Sequence, residues 1–444
     1  MITKEPLLSV GIYSQEAEAR GVLNGRFLLP DNATVSGEFL ARPKDGGLSL
    51  ISNQGRELAR GVELRLTPEG DATFTLRDVT IGISFHWQRK EEQTFEGGLR
   101  LLLNDDGTIT AINDARVEQY LQSVISSEMS AAAPIELLRA HAITSRSWLV
   151  AMLERQKRFK NLGGPARRGR ETEAEIVRWY DREDHKLFDV CADDHCQRYH
   201  GITKIISPAA RRAVQETRGV FVVYGGEICD ARYSKSCGGR SEEFSAAWED
   251  TSVPYLATVS DAAVEHPLVQ SEAVAEQWVR SAPPAWCNTT DGNILRQVLP
   301  SFDQETTDFY RWTVAYAQAE LAALLVKRSG IDFGEIHRLE PLQRGPSGRI
   351  VRLRIVGSRR TVVVGKELEI RRWLSPSHLY SSAFVVEVEG ISGGVPAKFI
   401  LRGAGWGHGV GFCQIGAAVM AAKGLPAEQI VKHYFRGAEL KKLY

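Results

Sequence analysis

The sequence predicts an α+β fold in which antiparallel β-rich parts surround a central helix pair, with a groove between them. Three observations predict it. Forty glycines and twelve tyrosines suit a chain rich in strands and turns better than a helical bundle. Short alternating apolar runs broken by turn residues fill positions 7–110. Two helical patterns then follow one another between Ala115 and Leu153.

The elements read in order as follows. Leu8-Ser9-Val10-Gly11-Ile12 alternates as a half-buried strand does, and Asp31-Asn32 and Lys44-Asp45-Gly46-Gly47 are turn signals. Leu99 to Leu103 is a further strand, closed by Asn104-Asp105-Asp106-Gly107. Val117, Tyr120, Leu121, Val124 and Ile125 recur at the spacing of one buried helical face. Ser130-Ala131-Ala132-Ala133 breaks that run, and Pro134 suits the first turn of a second helix. Ile135, Leu138, Ala142, Leu149 and Leu153 keep one face of it apolar. Gly163 to Arg170 reads as a flexible basic linker, 208–218 as a short helix, and 219–235 as a hairpin turning at Gly225-Gly226. A Trp/Pro-rich segment and a helix at about 317–328 occupy 266–340. Strand-like runs follow at 350–356, 361–364 and 383–389, then a Gly-rich loop at 403–411 and helices at about 413–423 and 427–434.

Bulk properties narrow the function. At roughly 100–200 residues per domain, 444 residues suggest two or three domains or one large core with an insertion. We divide the chain into a β-rich region (1–110), a core segment (111–265), an insertion of unplaced structure (266–340) and a C-terminal return to the core (341–444). Formal net charge is zero, which argues against nucleic acid or an anionic membrane as a partner. Arg167, Arg168 and Arg170 form the one basic cluster and read as a solvated loop. No run of about 18 apolar residues predicts a membrane span. Met1 to Ser14 lack the apolar core of a secretory signal.

Three groups of residues carry candidate chemistry. Glu128 falls on the stripe of Val117, Leu121 and Val124, so it is expected to face the core or a cleft. Desolvation there disfavours the charged form, which is what a general acid requires. Arg146 sits on the apolar face of the next helix; it is open at this point whether it forms a structural ion pair or holds substrate. His185, Cys191, His195 and Cys196 crowd into twelve residues. Two thiolates and two imidazoles suit tetrahedral zinc, and four protein ligands make such an ion structural. Unlinked cysteines or a Cys191–Cys196 disulfide are the other readings, and Asp189, Asp193 and Asp194 lie alongside. Cys229, Cys237, Cys287 and Cys413 read as buried free thiols. Finally, Gly403-Ala404-Gly405-Trp406-Gly407-His408-Gly409-Val410-Gly411 lacks the Gly-Lys-Ser/Thr of a phosphate loop and the Gly-x-Ser-x-Gly of a nucleophile elbow. Its glycines allow close backbone approach to a ligand that His408 could touch, although a lone histidine in a loop is more often structural.

Several of these blocks resemble the stage II sporulation protein D / LytB amidase-enhancer family. They are Ser126-Ser127-Glu128-Met129, Leu138 to Arg146, Ser236-Cys237-Gly238-Gly239-Arg240-Ser241-Glu242 with Trp248, Pro254-Tyr255-Leu256, Trp406 to Ala417, and His433-Tyr434-Phe435. Together they cover most of 95–261 and 340–444. The resemblance implies a lytic transglycosylase acting on peptidoglycan glycan strands whose stem peptides an N-acetylmuramoyl-L-alanine amidase has removed. It implies Glu128 as catalytic acid, and Arg146 lining a glycan-binding groove together with Ser236, His408 and Gln414. It also implies structural zinc on His185, Cys191, His195 and Cys196, and a place in the cell envelope. A glycoside hydrolase ordinarily needs two carboxylates; the sequence offers one, which suits a lytic transglycosylase. The rivals are a non-catalytic glycan-binding module that recruits an amidase, and a zinc-dependent hydrolase.

Overall fold

The structure is a computed structural model and describes residues 2–82, 88–130, 133–162, 169–179, 185–193, 195–204, 208–299 and 308–444. Helices and largely antiparallel sheets make it α+β, as expected. Ala131, Ala132, Arg167, Arg168 and Asp194 lie outside the described residues, as does most of the expected linker. Two of that linker's positions, Gly169 and Arg170, belong to a strand, Gly169–Glu171, that pairs with Glu175–Arg178.

The chain divides into two compact units. The first comprises 1–142, 182–220 and 442–444. Its sheet orders Val190–Cys191, Leu7–Glu16, Ile109–Arg116, Gly98–Leu103, Glu63–Pro68, Ala19–Leu28, Thr34–Lys44, Gly47–Ser52 and Glu57–Gly61 side by side. Thr73–Ile81 joins Ala19–Leu28 and carries Arg89–Glu96. The alternation read at Leu8, Val10 and Ile12 is real: all three are buried. The helix α1, Val117–Glu128, follows the last long strand directly, with Val117, Tyr120, Leu121, Val124 and Ile125 fully buried. A row of aromatic rings ties sheet to helix. Phe27 packs on Phe74, Phe74 on Phe95, Phe95 on Tyr199 and Tyr199 on Tyr120, with centroids 4.9–6.4 Å apart. The helix α2, Ile135–Leu162, begins just after Pro134 and continues past residue 142. The short helix α3, Pro208–Glu216, closes this unit's set.

The second unit comprises 143–181 and 221–441. One sheet orders Gly169–Glu171, Glu175–Arg178, Thr361–Gly365, Ile350–Gly357 and Ile336–Arg344; another orders Arg311–Ala317, Lys398–Ala404 and Phe384–Glu389. Beside the rest of α2, its described residues include the helices α4 Phe244–Ala247, α5 Glu272–Ser281, α6 Gly292–Val298, α7 Gln318–Ser329, α8 Glu367–Trp373, α9 Gln414–Ala422 and α10 Ala427–Tyr434. Trp312, Leu321, Leu325, Phe333, Ile350, Leu353, Trp373 and Phe384 are part of one apolar core between these sheets and α7–α8. Among the described residues, the stretch 266–340, left unplaced by the sequence, supplies two strands and three helices. Among the described residues no helix is long and apolar enough to cross a membrane.

Candidate functional site

Glu128 is the last residue of α1, and this decides its environment. The apolar stripe carries it toward the interior, but the chain turns extended at Met129, and the residue is half-buried. This is less enclosed than the stripe alone predicts. Its Oε1 accepts the backbone N–H of Arg198 at 3.0 Å. One turn and a half earlier, Ser123 Oγ accepts the N–H of His200 at 3.0 Å. Between these contacts Tyr199 stacks on Tyr120 and donates its hydroxyl to Asn113 Oδ1 at 2.6 Å. Gln197 to His200 is therefore a buried segment laid along α1.

That segment emerges directly from the Cys/His cluster. The strand Val190–Cys191 pairs in parallel with Val10 and Gly11. Asp189 locks it there: its Oδ2 accepts both the N–H and the hydroxyl of Ser9 at 2.9 Å. Cys196 Sγ lies 3.5 Å from His185 Nε2 and 3.5 Å from His195 Nδ1, and Cys191 Sγ lies 3.8 Å from His195 Nδ1. All four ligand atoms fall within 4.8 Å of one another. Sulfurs about 2.3 Å and nitrogens about 2.0 Å from a tetrahedral ion stand roughly 3.4–3.8 Å apart, so the donor set fits zinc. Cys196, then His185 and His195, pull the Cys191 thiol down to about 2 against the opposing effect of burial. Such a thiolate is the form a metal takes.

Arg146 is fully buried on α2, in a polar run with Thr144, Ser145 and Ser147 that the apolar reading of that face missed. Ser147 shows what such groups do: its hydroxyl donates to Ile143 O and accepts the N–H of Val222.

In the second unit the Gly-rich loop is pinned against Ser236. Ser236 and Trp406 exchange backbone hydrogen bonds of 3.0 and 2.8 Å, and Tyr233-Ser234 pairs in parallel with Phe412-Cys413. Ser236 and Gln414 are buried, and His408 is half-buried. Burial and the neighbouring Arg232, Arg349 and Arg371 push the imidazole of His408 well below its ordinary range, so it is neutral. Its Nδ1 accepts the N–H of Val410, which fixes the proton on Nε2, and its ring meets Trp248 edge-on at 4.9 Å.

Sequence reasoning missed two residues here. Arg349, fully buried, donates to the carbonyl oxygens of Gly407 and Cys237 and to Ser347 Oγ, and a Cβ at Gly409 would collide with its guanidinium. Glu242, also fully buried, accepts the hydroxyl of Ser347 at 2.6 Å, and burial pushes its carboxyl up to about 7. Glu242 stood inside a recognised block, whereas nothing near Arg349 in the sequence marked it.

Three of the four cysteines read as isolated thiols meet. Cys237, Cys287 and Cys413 gather with Asp261, all buried, their ligand atoms within 4.8 Å of one another. Cys229 is buried apart from this cluster, and burial raises its thiol to about 12.

Comparison with known proteins bears on this geometry. A family model described as Stage II sporulation protein matches residues 105–224. The chain resembles the stage II sporulation protein D and amidase-enhancer family. Stage II sporulation protein D of Bacillus amyloliquefaciens is 23% identical over 333 residues, 75% of this chain and 76% of that protein. An uncharacterized protein of Brachyspira hyodysenteriae is 24% identical over 346 residues, 78% and 72% of the two chains. The amidase enhancer of Bacillus subtilis is 23% identical over 253 residues, 52% of this chain and 32% of that longer protein. A second model, described as a domain of unknown function, matches 242–411 and so takes in the 266–340 stretch, Arg349 and the Gly-rich loop.

Proposed function

We propose that this protein acts on the bacterial cell wall, outside the cytoplasm, as a lytic transglycosylase that cuts peptidoglycan glycan strands with Glu128 as its acid. The observation that carries this reading is the placement of Glu128. It stands half-buried at a helix end, with one carboxylate oxygen accepting the Arg198 N–H. In the proposed reaction the Glu128 carboxyl gives its proton to the glycosidic oxygen as the bond to the anomeric carbon breaks. The carboxylate then takes the proton of the sugar's own C6 hydroxyl as that oxygen bonds to the anomeric carbon. No water is consumed, Glu128 ends protonated as it began, and the product is a 1,6-anhydro-muramic end. One carboxylate therefore suffices, where hydrolysis calls for two.

His408, neutral and held in place by backbone hydrogen bonds with Val410 and Tyr233, would help to shape the glycan-binding surface. Arg146, Ser236 and Gln414 are too buried to touch glycan as they stand, so we assign them to shaping and charging the binding surface rather than to contact. Structural zinc on His185, Cys191, His195 and Cys196 would hold the segment that presents the Arg198 N–H to Glu128. It supplies rigidity and no chemistry of its own.

The second reading is a non-catalytic module that binds glycan and recruits an N-acetylmuramoyl-L-alanine amidase; the similarity to the Bacillus subtilis amidase enhancer favours it. Incubation of the wild type and Glu128→Gln with peptide-free glycan strands, read by mass spectrometry, separates the two. Anhydro ends from the wild type, reduced at least ~100-fold in the variant, are expected for loss of a general acid. Intact binding without cleavage by either protein leaves the recruiting module.

A further inference from the structure

Outside the residues used above, the second unit holds a buried cluster for which the proposed function has no use. Cys237 follows the strand Tyr233–Ser234, Asp261 follows the bridge between Arg240 and Ser260, Cys287 lies beyond α5, and Cys413 immediately precedes α9. Four separate stretches of chain thus send one ligating side chain each to a single point. Cys237 Sγ and Cys287 Sγ are 3.7 Å apart. That is far beyond a disulfide bond of about 2.05 Å. It matches the roughly 3.8 Å edge between two sulfurs that each sit about 2.3 Å from a tetrahedral ion.

Asp261 is the second observation. Its carboxylate is fully buried, and it accepts only neutral donors: the Tyr434 hydroxyl at 2.6 Å and the Cys287 N–H at 2.9 Å. Among the described residues no arginine, lysine or histidine pairs with it. A buried carboxylate without a cation is costly unless it is protonated or holds a metal. At Cys413 the surroundings favour negative charge on sulfur: the Cys237 N–H points at Cys413 Sγ at 3.3 Å, and α9 begins at the next residue.

We infer that Cys237, Asp261, Cys287 and Cys413 form a structural zinc site. Three thiolates and one carboxylate oxygen complete a tetrahedron with no open position, and zinc entry releases the protons of the ligands that were neutral. The ion would clamp the turn that carries Ser236 to the start of the helix that carries Gln414. It acts as a brace of the Gly-rich loop and does not touch substrate. Gly416 fits this packing, because a Cβ there would stand 2.5 Å from both Asp261 Oδ1 and the Tyr434 hydroxyl.

The test is the zinc content of the full chain, purified without chelator and measured by plasma mass spectrometry. Cys191→Ser/Cys196→Ser removes both thiols of the first cluster, and Cys287→Ser one of the three thiols of the second. We expect one zinc per chain to remain in the Cys191→Ser/Cys196→Ser protein, and Cys287→Ser to contain one ion fewer than the wild type. With cobalt(II) in place of zinc, the Cys191→Ser/Cys196→Ser protein should show the thiolate-to-metal absorption of a tetrahedral site. A folded Cys191→Ser/Cys196→Ser chain without metal overturns the inference. So does a folded Cys287→Ser chain with wild-type content, or a Cys237–Cys287 disulfide found by peptide mapping of the wild type. Should the double variant fail to fold, the difference between wild type and Cys287→Ser decides: one ion fewer supports the site and equal contents overturn it. Should Cys287→Ser fail to fold, the metal content of the double variant decides alone.

Discussion

Glu242 and His408 sit in one unit and titrate with opposite consequences. Burial raises the Glu242 carboxyl from 4.5 in an unfolded chain to about 7, so the fold favours its protonated form. That contribution is complete below 4.5 and is lost as pH rises through about 7. The loss is on the order of 3 kcal/mol. His408 is pushed below its ordinary 6.5, so the fold favours its neutral form, and stability is lost as pH falls below 6.5. Thermal unfolding of the wild type and Glu242→Gln across this range checks the first effect. The amide should cost stability at acid pH, where the protonated acid fits, and the gap to wild type should narrow as pH approaches about 7. A gap independent of pH would place the titration elsewhere. Glu128 draws attention from spacing alone, because a carboxyl on an apolar stripe stands out. Arg349 and Glu242 owe their roles to burial by distant segments, and single-chain periodicity carries no trace of that.

Among elements, those with a strong period were read nearly to the residue. The helices α1, α7, α9 and α10 and the strands Ile350–Gly357 and Thr361–Gly365 lie where their apolar spacing puts them. The helix α8 was missed because Glu367 and Glu369, which the sequence presents as solvent groups, are buried in it. The strands Arg311–Ala317 and Lys398–Ala404 carry charged residues, and their pairing with each other spans some ninety positions. The second cysteine cluster was invisible for the same reason: its ligands are scattered from residue 237 to 413, whereas the first packs its four into twelve positions. Packing at α9 gives a test at this scale. Gly416→Ala forces a methyl against Asp261 and Tyr434. Overpacking of this kind costs about 1–3 kcal/mol, which exceeds the gain in helix propensity. Denaturant unfolding should show the loss, and unchanged stability would mean that Tyr434 moves aside freely.

For the molecule as a whole, the chain passes between the two compact units four times, so neither is a continuous stretch of sequence. The first unit depends on its last residues: the Leu443 N–H donates to Gly219 O at 2.8 Å and the Tyr444 hydroxyl to Glu118 Oε1 at 2.7 Å. A fragment ending at residue 224, where the sporulation-protein match ends, loses both. The truncation removes one of the hydrogen bonds to the buried Glu118, which keeps the Gly219 N–H. We expect that fragment to lack the cooperative unfolding transition of the full chain by circular dichroism; a sharp transition would show the first unit to be self-sufficient. The α+β class and the β-rich start were legible because alternation and helical period are local. The interleaving of two units was not, since only contacts between distant segments define it.

One hold on Glu128 is a main-chain amide, the N–H of Arg198. Every residue except proline brings the same N–H to position 198. Replacing Arg198 one side chain at a time would therefore leave this contact in place, and the residue found there in related chains carries no record of it. This contact is written in the path of the backbone, and it would persist through sequence drift that changes every side chain around it.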